Sequence, residues 1–357
     1  MIPQGLDGPF YVIGENIHTT RVVLRAGKLV APSPSGEEAV RYTTCNGETR
    51  YLAIPEDFKS RQDYQEGKVK HVMIAVREGM SGGAAANEAV AYLRALAEKQ
   101  VAAGADFLDL NVDELSWDRE EQKAAMGWLV RTMEPLSRVP LSIDSSNLEI
   151  LLAGIQACRG QAGRPLLNSA SLERLEALDF AALYELPVVI TAAGGSGMPQ
   201  NAEERVDYAS QVVETALHKG IPLERMYVDA LVFPISVDDQ FVNHCLEAFR
   251  QLRAKYGPQF HLTGGLSNVS FGMPCRKLIN EVFIHLAVEA GADSGIVDPV
   301  ASNLNRIFTA DRTSQSYQLA LDMLLGRDPG CVHYLEAYRD GELEAAAVTP
   351  QDIATVR

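Results

Sequence analysis

The sequence predicts an α/β fold of the (β/α)8 barrel class with a long insertion after the first strand, and three observations carry that prediction. Short β-branched or aliphatic runs recur eight times along the chain. Amphipathic stretches of helical period separate them. After the first run, the spacing from strand to strand settles at about 20 to 40 residues, which suits a strand, a helix and two loops.

The eight runs, in order, are FYVIGEN (10–16), ADFLDLNV (105–112), VPLSID (139–144), PLLNSA (165–170), LPVVITA (186–192), RMYVDAL (225–231), QFHLTGG (259–265) and DSGIVDP (293–299). Among the intervening helices, 201–219 places Val206, Ala209, Val213, Ala216 and Leu217 on one face, and Asn201 with Glu204 supplies an N-terminal cap. Another runs through Val90, Leu93, Ala97 and Val101 and stops at Gly104. Residues 1–330 are thus read as one barrel.

Two segments fall outside the repeat. Residues 17–83 are far longer than an ordinary βα loop, and a loop in that place overhangs the active-site mouth. Residues 331–357, ending AAAVTPQDIATVR, form a tail or an extra helix.

Composition narrows the function. The 357 residues are 46% hydrophobic and 22% charged, as in an ordinary globular protein, and their net charge of −15 repels a phosphate backbone or an anionic membrane surface. Nucleic-acid and membrane partners are therefore not expected. The insertion, with ten basic and eight acidic side chains, is +2 within that acidic chain. Five widely spaced cysteines include no CxxC pair, no apolar run reaches the roughly 18 residues of a membrane span, and MIPQGLDGPF lacks the layout of a secretory signal. A cytoplasmic protein without a metal site is expected.

Chemistry in a barrel gathers where strands end. The polar residues there are Glu15 and Asn16, Asp109 with Asn111 and Asp113, Asp144, Asn168, Thr191, Asp229, Asn268 just past Gly264 and Gly265, and Asp298. Any one of them could instead cap the following helix. Barrel strands are buried on both faces, so the recurrence of carboxylates and amides at these ends points to a ligand. A carboxylate among amides suits a flat heterocycle with adjacent N–H donors, such as a pterin.

The segments GADFLDLNV, PLSIDSSN, PLLNSAS, YVDALV and above all GLSNVSFGMPCRKLIN resemble the pterin-binding barrel family, and within it the methyltetrahydrofolate:corrinoid methyltransferases. The resemblance spans most of residues 10–310. It implies that Asp144 holds the pterin's amino and ring N–H edge and that Asn168 and Asp229 complete the polar floor. Asn268 then lies near the reactive N5 as the catalytic group, with Gly265, Ser267 and Arg276 flanking the ligand and Asn111 and Glu15 joining the site. It also implies methyltetrahydrofolate as substrate, cobalamin carried by a separate corrinoid protein, and a homodimer. The chain departs from the family pattern at Ala230, where a proline is usual, and in LNSAS, where an INSTN-like motif is usual.

No DxHxxG box is present, and His18, His71, His218, His244, His261, His285 and His333 are each read as ordinary surface or core imidazoles. Two other readings remain open: a dihydropteroate synthase-like transferase, which needs cations for a leaving pyrophosphate, and a folate-binding protein without catalysis. A Schiff-base lysine is disfavoured, because the lysines lie on predicted helices, at their ends or in the insertion.

Overall fold

Residues 8–343, Ser196 excepted, are described by a computed structural model. Each predicted run coincides with a strand: β1 Tyr11–His18, β2 Phe107–Asn111, β3 Leu141–Asp144, β4 Leu166–Ala170, β5 Val188–Thr191, β6 Met226–Asp229, β7 His261–Thr263 and β8 Ser294–Val297. Helices follow them, so the chain has the α/β, (β/α)8 class that its sequence predicts. No helix among the described residues is long and apolar enough to cross a membrane.

The chain divides into two compact units. One holds Ile13–Ser169 and Glu176–Val188. In it β1, β2, β3 and β4 pair in parallel, each with the next, in a register that aligns His18 with Asn111, Asn111 with Asp144, and Asp144 with Asn168. The other unit begins at Val189 and adds Ala170–Leu175 and the residues up to Val12. There β6 pairs in parallel with β7, Asp229 opposite Thr263, and Gly265 bridges to Ile296. Leu108, Asp109 and Leu110 of β2 are all fully buried, which explains why these strands read as continuous rather than alternating apolar runs.

Helix ends follow the predicted chemistry. The helix Ala202–His218 starts at Asn201, whose side chain accepts the Glu204 N–H at 2.8 Å, while the Glu204 carboxylate takes the Gln200 N–H at 2.8 Å. The helix Ala86–Ala102 ends just before Gly104, which sits at φ +96° where a side chain would be strained.

The insertion carries structure of its own. Val30–Pro32, Glu38–Thr43 and Thr49–Ala53 form a three-stranded antiparallel sheet, and Val23–Leu24 pairs with Lys68–Val69. The helix His71–Ser81 closes the segment. The sheet is tied to the helix Ala86–Ala102 through Glu88, which accepts the Tyr42 hydroxyl at 2.6 Å and the Arg50 guanidinium at 2.5 Å. The helix Val332–Arg339 takes up the first part of the predicted tail, and residues 344–357 lie outside the described residues.

The first strand runs two residues beyond its predicted end at Asn16, for a reason no local pattern reveals. Between Gly14 and Ile17 its register with β2 slips by one residue, a β-bulge. The amide N–H of Asn16, at the bulge, donates to the buried Gln100 Oε1 at 3.0 Å. Continuing the register of Ile13 and Phe107 would set Ile17 opposite Asn111, whereas the bulge sets His18 there.

Gly14 makes this arrangement possible, since a Cβ at that position would lie 2.5 Å from Gln100 Oε1. Replacement Gly14→Ala is expected to cost about 1–3 kcal/mol by overpacking, and Gln100→Met a comparable amount by stranding the Asn16 N–H. Chemical denaturation of the two variants beside the parent protein measures both.

Candidate functional site

In the unit that holds β1 to β4, the aligned strand ends bring a hydrogen-bonded cluster together. Asp109 and Asn111 are two apart on β2 and so project to the same face. The Asn111 amide donates to Asp144 Oδ2 at 2.8 Å, and the Asn168 amide donates to Asp109 Oδ1 at 3.3 Å. His18 Nε2 lies 2.8 Å from Asp109 Oδ2. Of the residues predicted for the site, Asn111, Asp144 and Asn168 meet here, with Asp109 linking Asn168 to His18. Glu15 lies on the same strand as His18 and pairs with Arg21, 3.4 Å away, whose other nitrogen donates to Asn16 Oδ1 at 2.7 Å.

Electrostatics follow from burial. Removal from water pushes the Asp144 carboxyl well above the usual range, the nearby charge of Asp109 adds to that, and His18 and the Asn111 amide oppose it. For His18, burial favours the neutral ring. The hydrogen bond to Asp109 and the charges of Asp109, Asp144 and Glu15 outweigh that, and its pKa is raised. One nitrogen of His18 and one oxygen each of Asp109 and Asp144 lie within 4.8 Å of one another, a spacing that also suits a divalent ion. The donors already engaged on both carboxylates account for the grouping without one.

In the unit that begins at Val189, Asp229 ends β6 and its Oδ1 accepts the Leu231 N–H at 2.7 Å. Burial pushes this carboxyl up to about 6, against the opposing pull of that N–H and of Arg205. Gly264 stands close by: a Cβ there would lie 3.3 Å from Asp229 Oδ1. Arg205 is fully buried, donates to the Asn201 carbonyl at 3.0 Å, and sits 4.9 Å from the centre of the Phe233 ring.

Asn268 lies in the 3-10 turn Leu266–Ser270, its N–H bonded to the Gly265 carbonyl at 3.0 Å. Its side-chain amide nitrogen comes within 2.7 Å of the place a Gly265 Cβ would occupy, so only glycine admits this packing. Arg276 braces the turn, donating to Ser270 Oγ and to the Ser267 carbonyl, each at 3.0 Å. Gly265, Ser267, Asn268 and Arg276 are therefore neighbours in one turn. Two other polar strand-end residues hold loops and turns: Asp113 accepts from Ser145 and Ser146, and Asp298 from the Val300 and Ala301 amides.

Sequence reasoning missed His18 and Arg205. Nothing local distinguishes His18, because its alignment with Asn111 depends on the bulge. Arg205 falls on the buried side of a helix whose apolar stripe gives no notice of a cation.

A family model described as pterin binding enzyme matches residues 78–298, well over half of the chain. The methylcorrinoid:tetrahydrofolate methyltransferase of Eubacterium limosum is 31% identical over 262 residues, covering 71% of this chain and 89% of that relative. A methionine synthase of Mycobacterium leprae is 27% identical over 315 residues; these are 82% of this chain and 24% of that much longer protein. Among solved structures, a dihydropteroate synthase from Stenotrophomonas maltophilia aligns with a TM-score of 0.50 and 22% identity over 63% of this chain and 86% of its own, a likeness of fold alone.

The elevated pKa of Asp229 has a measurable consequence. The folded state holds this proton up to about pH 6, whereas an unfolded aspartate releases it near 4. Stability contributed by the protonated form is therefore lost as pH rises between those values, by on the order of 2–3 kcal/mol. The variant Asp229→Asn is expected to be spared this loss. Unfolding free energies of parent and variant from pH 4 to 8 should diverge from about pH 4 and run parallel above about pH 6, with the variant the more stable at neutral pH.

Proposed function

The chain belongs to the pterin-binding enzyme family, and on that premise we propose that it is a methyltransferase moving a methyl group between N5 of tetrahydrofolate and the cobalt of a corrinoid carried by a separate protein. The observation that carries this reading is Asp144, a half-buried carboxyl at a strand end joined to the Asn111 amide. An ionised carboxylate in that setting pairs with two parallel N–H donors, which is the edge a pterin offers. The relative named as a methylcorrinoid:tetrahydrofolate methyltransferase supports the substrate pair.

A methyl group on N5 is a poor electrophile, because the departing nitrogen is too basic to leave unaided. Transfer requires protonation of N5 or a hydrogen bond that strengthens as charge changes there. Asn268 is assigned that hydrogen bond, since its amide is neutral, can donate or accept, and is held by a turn that Arg276 braces from outside. A corrinoid cobalt supplies the strong nucleophile, or the methyl group in the reverse direction. Asp144, Asn168 and Asp229 bind and orient the pterin.

The alternative of a pyrophosphate-releasing pterin transferase needs a cation at hand for the leaving group. Arg276, the candidate for it, already spends two donors on Ser267 and Ser270. The insertion, slightly basic on an acidic chain, is assigned to the active-site mouth as the surface that meets the corrinoid carrier. A homodimer belongs to the same proposal.

Mixing the protein with methyltetrahydrofolate and reduced cobalamin is expected to bleach the Co(I) absorbance and form methylcobalamin. Tight folate binding without turnover, on free cobalamin and on a corrinoid protein alike, would defeat the transferase reading. Within it, Asp144→Ala is expected to abolish folate binding. Asn268→Ala should lower the single-turnover transfer rate by about 100- to 1000-fold with a much smaller change in folate Kd; equal losses in both would make Asn268 a binding group only.

A further inference from the structure

Two carboxylates, the fully buried Asp109 and the half-buried Asp144, stand close together on adjacent strands in a site that requires a single anionic acceptor for a neutral heterocycle. Two such neighbouring carboxylates cannot both ionise cheaply, and without compensation one of them keeps a proton. A pterin edge made of donors gains nothing from a protonated acceptor. The site therefore needs a cation that neutralises one acid without occupying the other.

His18 has the geometry for it. Its Nε2 lies 2.8 Å from Asp109 Oδ2, while the other oxygen receives the Asn168 amide, so both oxygens of Asp109 are engaged by protein groups. Asp144 takes its bond from Asn111 rather than from His18. The bulge in β1 is what sets a histidine rather than Ile17 at this register. Other charged groups nearby do not replace it: Arg21 is bound to Glu15 and Asn16, Glu15 is itself acidic, and Asp113 is held by Ser145 and Ser146.

We propose that His18 is a positioning residue of the pterin site: as an imidazolium paired with Asp109 it cancels one of the two carboxylates, leaving Asp144 as the single anion presented to the ligand. This rests on the pterin-binding reading above and adds to it a dependence on pH. The competent form carries no proton on Asp144. Below the titration of Asp144 the acceptor is lost. Folate affinity therefore rises with pH through the titration of Asp144, which the imidazolium moves to lower pH, and levels off once Asp144 is ionised.

The test measures methyltetrahydrofolate Kd from pH 5.5 to 9 for the parent, His18→Asn and His18→Gln, with thermal unfolding as the check on folding. The parent should reach its plateau at the lower pH. In both variants the rise should be displaced to higher pH and meet the parent's plateau at the alkaline end, and binding at pH 7 should weaken by up to about tenfold for each unit by which the missing cation raises the Asp144 pKa. Variant profiles that superimpose on the parent's would overturn the proposal. A second measurement is independent of folate: histidine NMR titration of the ligand-free protein, with the His18 signal assigned by its absence in His18→Asn. Its pKa should lie above the ordinary 6.5 and fall in Asp109→Asn; a value at or below the ordinary one in the parent overturns the pairing. Should the parent bind no folate at any pH, the functional reading fails, while the NMR titration still decides the His18 pairing.

Discussion

One hydrogen bond governs what the first strand contributes to the site: the Asn16 N–H donated to Gln100 at the β-bulge. Side chains of a strand alternate between faces, so one extra residue exchanges every later position. Here the exchange replaces an isoleucine with a histidine beside Asn111. A bulge leaves a backbone amide out of the ladder, and such a group, once buried, must find another acceptor. Gln100, fully buried at the end of its helix, is that acceptor, and Gly14 leaves it room.

The strand-end acids carry the cost of the same arrangement. Asp144 and Asp229 are held in surroundings that favour their neutral forms, mainly through burial. Such groups weaken the fold at neutral pH, yet a dry setting is what makes a carboxylate selective for a matching pair of donors. The protein softens the penalty by local means in each unit. In one, amides and an imidazole share the charge of Asp109 and Asp144; in the other, the Leu231 amide and the buried Arg205 act on Asp229.

Much of this is legible in the sequence alone. Seven of the eight strands lie inside their predicted runs and the first overruns by two residues, because buried parallel strands leave an unmistakable aliphatic signal, and the Asn201 cap is a local motif that needs no tertiary context. Asn111, Asp144 and Asn168 can be named because each ends or lies near the end of such a run. Asp113 and Asp298 share that position and hold turns instead, a distinction that depends on which amides come near. The insertion's sheet escapes notice since its strands are short, polar and spaced by prolines and glycines. His18 escapes for a different reason: its place is set by a residue more than eighty positions away.

The helix Ala86–Ala102 serves two masters. Near its start Glu88 holds the insertion through Tyr42 and Arg50, and near its end Gln100 fixes the bulge, about 18 Å further along the axis. Anyone transplanting this site into a related scaffold inherits that linkage. Copying the polar residues of the strand ends alone would graft an isoleucine where the histidine belongs. The portable unit is larger than the visible site: Gly14, the bulge, Gln100 and the helix that carries it have to travel together.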